Sequence, residues 1–141
     1  MEELIFKHSV PIQLRFNDTD SLGHVNNSVY FTFYDLGKTS YFSALRGEFM
    51  TPQRVDVVVA HAEVDFLKPV FLDSNVEVQT TVSHIGNKSF TLVQRIIDVE
   101  HNDVKCICKT IMVGFDYKNN VTIPITDEWR QMIEQFEGRK F

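Results

Sequence analysis

Apolar and polar positions alternate with a period of two in two stretches in the middle of the chain. From Ala60 to Phe66, Ala60, Ala62, Val64 and Phe66 fall on one side and His61, Glu63 and Asp65 on the other. That alternation predicts a half-buried strand. Asn75 to Ile85 alternates likewise, with Val76, Val78 and Val82 in register. Gly86-Asn87 is a hairpin signal, and Lys88 to Val99 reads as the next strand. Asn102-Asp103 turns into a strand over Val104 to Tyr117, and Lys118-Asn119-Asn120 makes another turn. Near the start, a short strand is expected over Ser9 to Phe16, ending in the turn-rich stretch Asn17 to Gly23.

A different pattern fills Val29 to Leu45. Val29, Tyr30, Phe31, Phe33, Tyr34, Leu36, Tyr41, Phe42 and Leu45 surround a helix on every side. Asn26, Asn27 or Ser28 can cap it, since their side chains accept from free amides. A helix apolar all round is expected to be buried. Gly37 in mid-helix costs ~1 kcal/mol relative to Ala, which close approach to a sheet would explain. The chain closes with a second helix. Thr126 is a good N-cap, Asp127 and Glu128 complement the helix dipole, and Trp129, Met132, Ile133 and Phe136 form one apolar face. Gly138 fits the C-terminal cap. One strand, a long helix and at least four consecutive antiparallel strands make an α+β fold with a helix across a sheet. Its free edges favour pairing between copies.

The remaining numbers narrow the class. The chain has 141 residues, 43% hydrophobic and 23% charged, so a single domain over 1–141 is expected. The longest apolar run is far short of the ~20 residues that span a bilayer, and the acidic N-terminus lacks a leader pattern. A membrane is therefore not an expected partner, and the location expected is cytoplasmic. A net charge of −5 argues against nucleic acid as a partner. Cys106 and Cys108 share one strand face and read as buried small hydrophobes. His8, His24, His61, His84 and His101 are scattered, so no metal site is expected.

The stretch Asp18 to Tyr30 carries the chemistry. It places two carboxylates just before the start of the long helix, where unpaired amides and the positive dipole end also lie. An acyl-transfer site needs both parts. Amides stabilise the oxyanion of a tetrahedral intermediate, and a carboxylate attacks directly or deprotonates a water. Gly23 lets backbone approach a ligand. On the residues alone, Asp20 reads first as an Asx-turn or helix-capping carboxylate, and Asp18 as structural, bonding loop amides.

Arg15-Phe16-Asn17-Asp18-Thr19-Asp20, with Gly23-His24-Val25-Asn26-Asn27 and Tyr30, resembles the hotdog-fold acyl-CoA thioesterases, in particular the 4-hydroxybenzoyl-CoA thioesterase branch. The Asp20-to-Asn27 part is also similar to the acyl-acyl-carrier-protein thioesterases. Similar stretches recur at Ala62 to Val70 and at Gly86 to Phe90, so the resemblance spans nearly the whole chain. It implies a hotdog fold, a long central helix wrapped by an antiparallel sheet. It implies hydrolysis of acyl-CoA to free acid and CoA without a cofactor, by a homodimer or homotetramer. Asp20 matches the catalytic carboxylate, and Asn27 the residue whose amide polarises the thioester carbonyl. His24 matches a histidine that is catalytic in the carrier-protein branch. Leu22 stands where that branch has Asn, which favours an Asp-centred mechanism. For substrate binding, Gly23 matches the loop glycine. Tyr30 belongs to an aromatic stripe that shares itself between core and acyl pocket. His61 and Glu63 lie on a strand that faces the partner's helix in family dimers, and Lys88 and Ser89 match contacts to the coenzyme A phosphates. An acyl-carrier-protein thioesterase and a non-enzymatic acyl-CoA binding module are the alternatives.

Overall fold

The computed structural model describes residues 3–47 and 56–141. In chain order these form β1 (His8–Pro11), a 3-10 turn (Phe16–Asp18), α1 (Val29–Arg46), β2 (Val57–Phe66), β3 (Val76–Ile85), β4 (Ser89–Asp98), β5 (Asp103–Asp116), β6 (Val121–Ile123) and α2 (Asp127–Glu137). The strands make one antiparallel sheet in the order β1-β3-β4-β5-β2. β6 pairs with β5 from Gly114 onward, just past the point where Ser89 of β4 faces Val113. α1 lies across the sheet against β3. This is the α+β hotdog architecture, a long helix on an antiparallel sheet with a short C-terminal helix.

Three expectations need correction. The consecutive antiparallel pairing runs through β3, β4 and β5 and on to the short β6, but it does not include β2. β2 pairs with β5 on the far edge, so residues 67–75 cross under two strands, about 14 Å at ~4.8 Å per lane. The nine residues 67–75 are long enough for that span, and the chain uses them to change edges. The first strand is His8–Pro11 rather than Ser9 to Phe16. Pro11 lacks the amide needed to carry the ladder on, and only Ile12 adds one more bond, donating to Val76 O at 3.0 Å.

α1 is also not enclosed on all sides within one chain. Tyr30, Phe33, Tyr34, Gly37, Tyr41 and Phe42 are buried, but Phe31 and Leu36 are 47% and 49% exposed. The sheet wraps one face of the helix and leaves the other open. β2 is bare as well: Val59, Ala60, His61, Ala62, Glu63, Asp65 and Phe66 are exposed, and its outer edge has no neighbour among the described residues.

The helix ends follow local rules. Of the three candidate caps, Asn26 is the one used: its Oδ1 accepts from the Ser28 amide at 2.9 Å and the Ser28 hydroxyl at 2.8 Å. Gly47, in the left-handed region at φ +73, ends α1. At α2, Thr126 Oγ1 accepts from the Trp129 amide and Gly138 closes the helix at φ +71. Trp129 and Ile133 pack with Tyr41, Phe42, Val82, Phe90, Leu92 and Met112 beneath the C-terminal half of α1. Val25, Tyr30, Phe33, Tyr34, Val76, Val78, Ile96, Cys106 and Cys108 form a second cluster beneath its N-terminal half. Each large side chain fully buried there contributes roughly 1.5–3 kcal/mol. Burial pushes the Cys106 thiol up to about 11 and raises that of Cys108 as well, so both stay protonated and act as apolar fill.

Candidate active site at the start of α1

Asp18 organises the approach to α1. Its carboxylate is 2% exposed and accepts from the Arg15 amide at 2.8 Å and the Arg15 guanidinium at 3.1 Å. Its carbonyl accepts from the Asn26 amide at 2.8 Å. The segment between forms a small hairpin, with Thr19 opposite Val25 and the Asp20 amide donating to His24 O at 2.8 Å. Gly23 turns the tip at φ +81, a backbone region L side chains rarely adopt, and donates to Asp20 O at 3.0 Å. The hairpin is moored to the body twice: Val25 donates to Val70 O at 2.8 Å, and His24 bridges Phe71. The His24 ring meets the Phe71 ring edge-on, centroids 5.0 Å apart.

Asp20 is exposed beside this tip. One oxygen, Oδ1, accepts from the Leu22 amide at 2.9 Å, which makes the Asx-turn; among the described residues the other oxygen has no partner. The carboxylate is therefore pinned by one oxygen and available through the second.

A cavity of about 230 Å³ opens at the N-terminus of α1, lined by His24, Val25, Asn27, Tyr30, Phe66, Leu67, Lys68 and Pro69. No described acceptor takes the Asn27 amide. Within the cavity wall, Tyr30 and Phe66 pack edge-on at 5.2 Å, and burial pushes the Tyr30 phenol above its usual range. Lys68 is held by Asp103 at 2.8 Å, and Lys105 reaches the other Asp103 oxygen at 3.2 Å. Lys68 and Lys105 keep the Asp103 carboxyl below its ordinary value.

Thus His24, Asn27 and Tyr30 come together as cavity walls, and Asp20 and Gly23 stand on the adjoining hairpin rather than in the wall. The other candidates are elsewhere. Val64 and Phe66 face α1 with their partners Cys108 and Cys106, so His61 and Glu63 lie on the opposite face of the sheet. Lys88 and Ser89 sit at the far end of the sheet. Ser89 precedes Ile96, which packs beneath the start of α1, by seven residues, roughly 20 Å of strand. Sequence reasoning missed the wall built by Phe66, Leu67, Lys68, Pro69 and Phe71. Its local signal was only a strand ended by Pro69, and the mooring of the hairpin onto it is a tertiary contact. Among the described residues no group of three or more His, Cys, Asp or Glu side chains is placed to hold a metal ion.

The model of the thioesterase-like superfamily matches residues 14–133. Among curated proteins, the chain is 29% identical over 96 residues to the acyl-CoA thioester hydrolase YbgC of Escherichia coli O157:H7, covering 64% of this chain and 69% of that one. It is 26% identical over 92 residues to the acyl-CoA thioesterase YbgC of Haemophilus influenzae, covering 63% and 68%. A thioesterase from Thermus thermophilus, solved in complex with coenzyme A and Zn, superposes with a TM-score of 0.84 at 27% identity, over 96% of this chain and 98% of that one.

Proposed function

The chain belongs to the thioesterase-like superfamily and is a thioester hydrolase, and from that premise we propose that it hydrolyses acyl-CoA to a free acid and CoA at the start of α1. The observation that carries this reading is the Asn27 amide: it is unbonded, at a helix N-terminus, in the wall of a cavity that also includes His24 of the hairpin bearing Asp20. An amide at such a terminus stabilises negative charge.

In this reading the thioester carbonyl oxygen rests on the Asn27 amide. Asp20 either attacks the carbonyl carbon, forming an anhydride that water then opens, or takes a proton from a water that attacks. In both routes the C–S bond breaks and the thiolate leaves with the bonding pair. A thiolate is a good leaving group, so no strong acid is needed. Gly23 keeps the hairpin tip low beside the carbonyl. His24, held edge-on by Phe71, orients the acyl end, and Tyr30 with Phe66 forms the apolar wall.

Lys88 and Ser89 grip the coenzyme A phosphates in this reading, and they serve the site of a second copy. The support is distance, since they stand at the other end of the sheet from Asn27. A two-fold pairing through the bare edge of β2 reverses the sheet and brings that end across. It also covers Phe31, Leu36 and Phe66. The active form is then a homodimer, or a homotetramer built from it. His61 and Glu63 face away from α1, and the mechanism does not use them. Two free, buried cysteines suit a reducing cytoplasm.

A thiol-release screen over short, medium, long and aryl acyl-CoAs tests the function. One thiol released per acyl group in at least one class is expected. Stoichiometric binding with no thiol release across the panel would overturn hydrolysis and leave a binding module. Faster release from acyl-carrier-protein thioesters than from every acyl-CoA would overturn the coenzyme A assignment.

A further inference from the structure

The turn that carries Lys88 is held in an unusual way. Gly86 donates to Ser89 O at 2.7 Å and closes it. The three other carbonyls of the turn are all drawn toward the body of the protein. Gly86 O accepts from the Arg130 guanidinium of α2, Asn87 O from the Ile125 amide at 2.9 Å, and Lys88 O from the Gly114 amide at 3.0 Å. Peptide units are planar and trans, so each carbonyl points opposite to the amide of the next residue. Drawing Gly86 O and Asn87 O inward therefore turns the amides of Asn87 and Lys88 outward. Neither amide has an acceptor among the described residues, and Asn87 and Lys88 are both exposed.

Two successive outward amides, on residues that also carry or adjoin the Lys88 and Ser89 side chains, offer donors suited to phosphate oxygens. Two of the three inward bonds come from main-chain amides. Only the bond to Gly86 comes from a side chain, so the orientation of the Gly86-Asn87 peptide depends on Arg130. That side chain is well placed for the task. It follows Trp129, which is buried in the core, and α2 is fixed by its Thr126 cap.

We propose that Arg130 is a positioning residue: by holding the Gly86 carbonyl it aims the Asn87 amide, together with that of Lys88, at a phosphate of the nucleotide end of coenzyme A. The assignment rests on the acyl-CoA reading given above. Arg130 itself does not touch the substrate. Its removal frees one peptide plane and weakens the grip on the nucleotide, far from the bond that breaks.

The test compares acyl-CoA with the N-acetylcysteamine thioester of the same acyl group, which has no phosphate. Arg130→Met raises KM for acyl-CoA roughly fivefold, as expected for one misdirected hydrogen bond to a charged group, and moves kcat less than about twofold. It leaves the parameters for the N-acetylcysteamine thioester in place, and Arg130→Lys restores most of the loss. Asn87→Pro deletes the aimed amide without touching α2 and gives the same KM rise, so the outcome does not depend on how Arg130→Met folds. Lys88→Ala is measured alongside. If it raises KM for acyl-CoA and the Arg130 and Asn87 variants do not, or shift both thioesters equally, the positioning role is overturned and the acyl-CoA reading stands. If the wild-type protein uses both thioesters alike and Lys88→Ala is silent, the coenzyme A reading falls and the role of Arg130 with it.

Discussion

Gly37 of α1 lies directly against Val78 of β3, so close that a Cβ at position 37 would overlap the Val78 side chain and press on Gln94. Gln94 in turn donates to the Tyr34 carbonyl of α1 at 2.9 Å and to Thr80 Oγ1 at 3.1 Å. The helix is seated on the sheet at this point, and its N-terminal amides are held at a fixed height as a result.

Gly37→Ala should therefore destabilise the fold. The gain in helix propensity is at most ~1 kcal/mol, against roughly 1–3 kcal/mol for overpacking. Thermal or urea unfolding should show a net loss, and Gly37→Ala/Val78→Ala should recover part of it. Unchanged stability of the single variant would mean that α1 shifts freely on the sheet.

Asp20→Asn should lower kcat at least ~10²-fold while KM stays near the wild-type value, the range expected for a lost carboxylate base or nucleophile. The Leu22 amide can still bond the amide oxygen, so the hairpin keeps its shape. Steady-state kinetics on the best acyl-CoA of the screen decides it, and near-normal turnover would remove Asp20 from the mechanism.

The far placement of Lys88 predicts complementation. In the homodimer proposed above, the Asp20 of one chain serves the same site as the Lys88 of the other, so an Asp20→Asn chain and a Lys88→Ala chain, each impaired, form one intact site when paired. Co-expressed heterodimers should regain kcat/KM at subsaturating acyl-CoA relative to either parent. No recovery in isolated heterodimers would place both residues in one chain's site.

His8 predicts a pH-dependent stability. Its Nε2 lies 3.1 Å from Ser40 Oγ, its Nδ1 is buried with no partner among the described residues, and its ring stands edge-on to Tyr41. Burial lowers its pKa, so in the acid range the unfolded chain holds the proton more tightly than the folded one. The stabilisation is complete above the unfolded value of ~6.5 and is lost as pH falls through that value toward the depressed folded one. Melting temperatures from pH 8 to pH 5 should decline, and His8→Leu should flatten that decline. An equal decline in the variant would assign it to other groups.

Much of this protein was legible in its sequence because the deciding interactions are local. Period-two alternation marked β2 and β3, and the turns at Gly86-Asn87, Asn102-Asp103 and Lys118-Asn119-Asn120 marked β4 and β5; Thr126, Gly138 and the Trp129-Ile133 spacing marked α2; and Gly37 announced a close approach that the sheet supplies. The Asp20-to-Asn27 run marked the turn and the cap that lead into α1, since capping and turn chemistry depend on neighbours within a few residues. Tertiary structure alone decided the rest. Strand alternation says which face is apolar but not which strand lies beside it, so the passage of β2 to the far side of β5 was invisible. That passage leaves the strand on the open edge of the sheet and brings Phe66 to Pro69 to the cavity that His24 of the hairpin also lines. Likewise, nothing near Lys88 in the chain indicates that Arg130 holds its turn, because that bond joins residues 44 positions apart and forms only after α2 has docked.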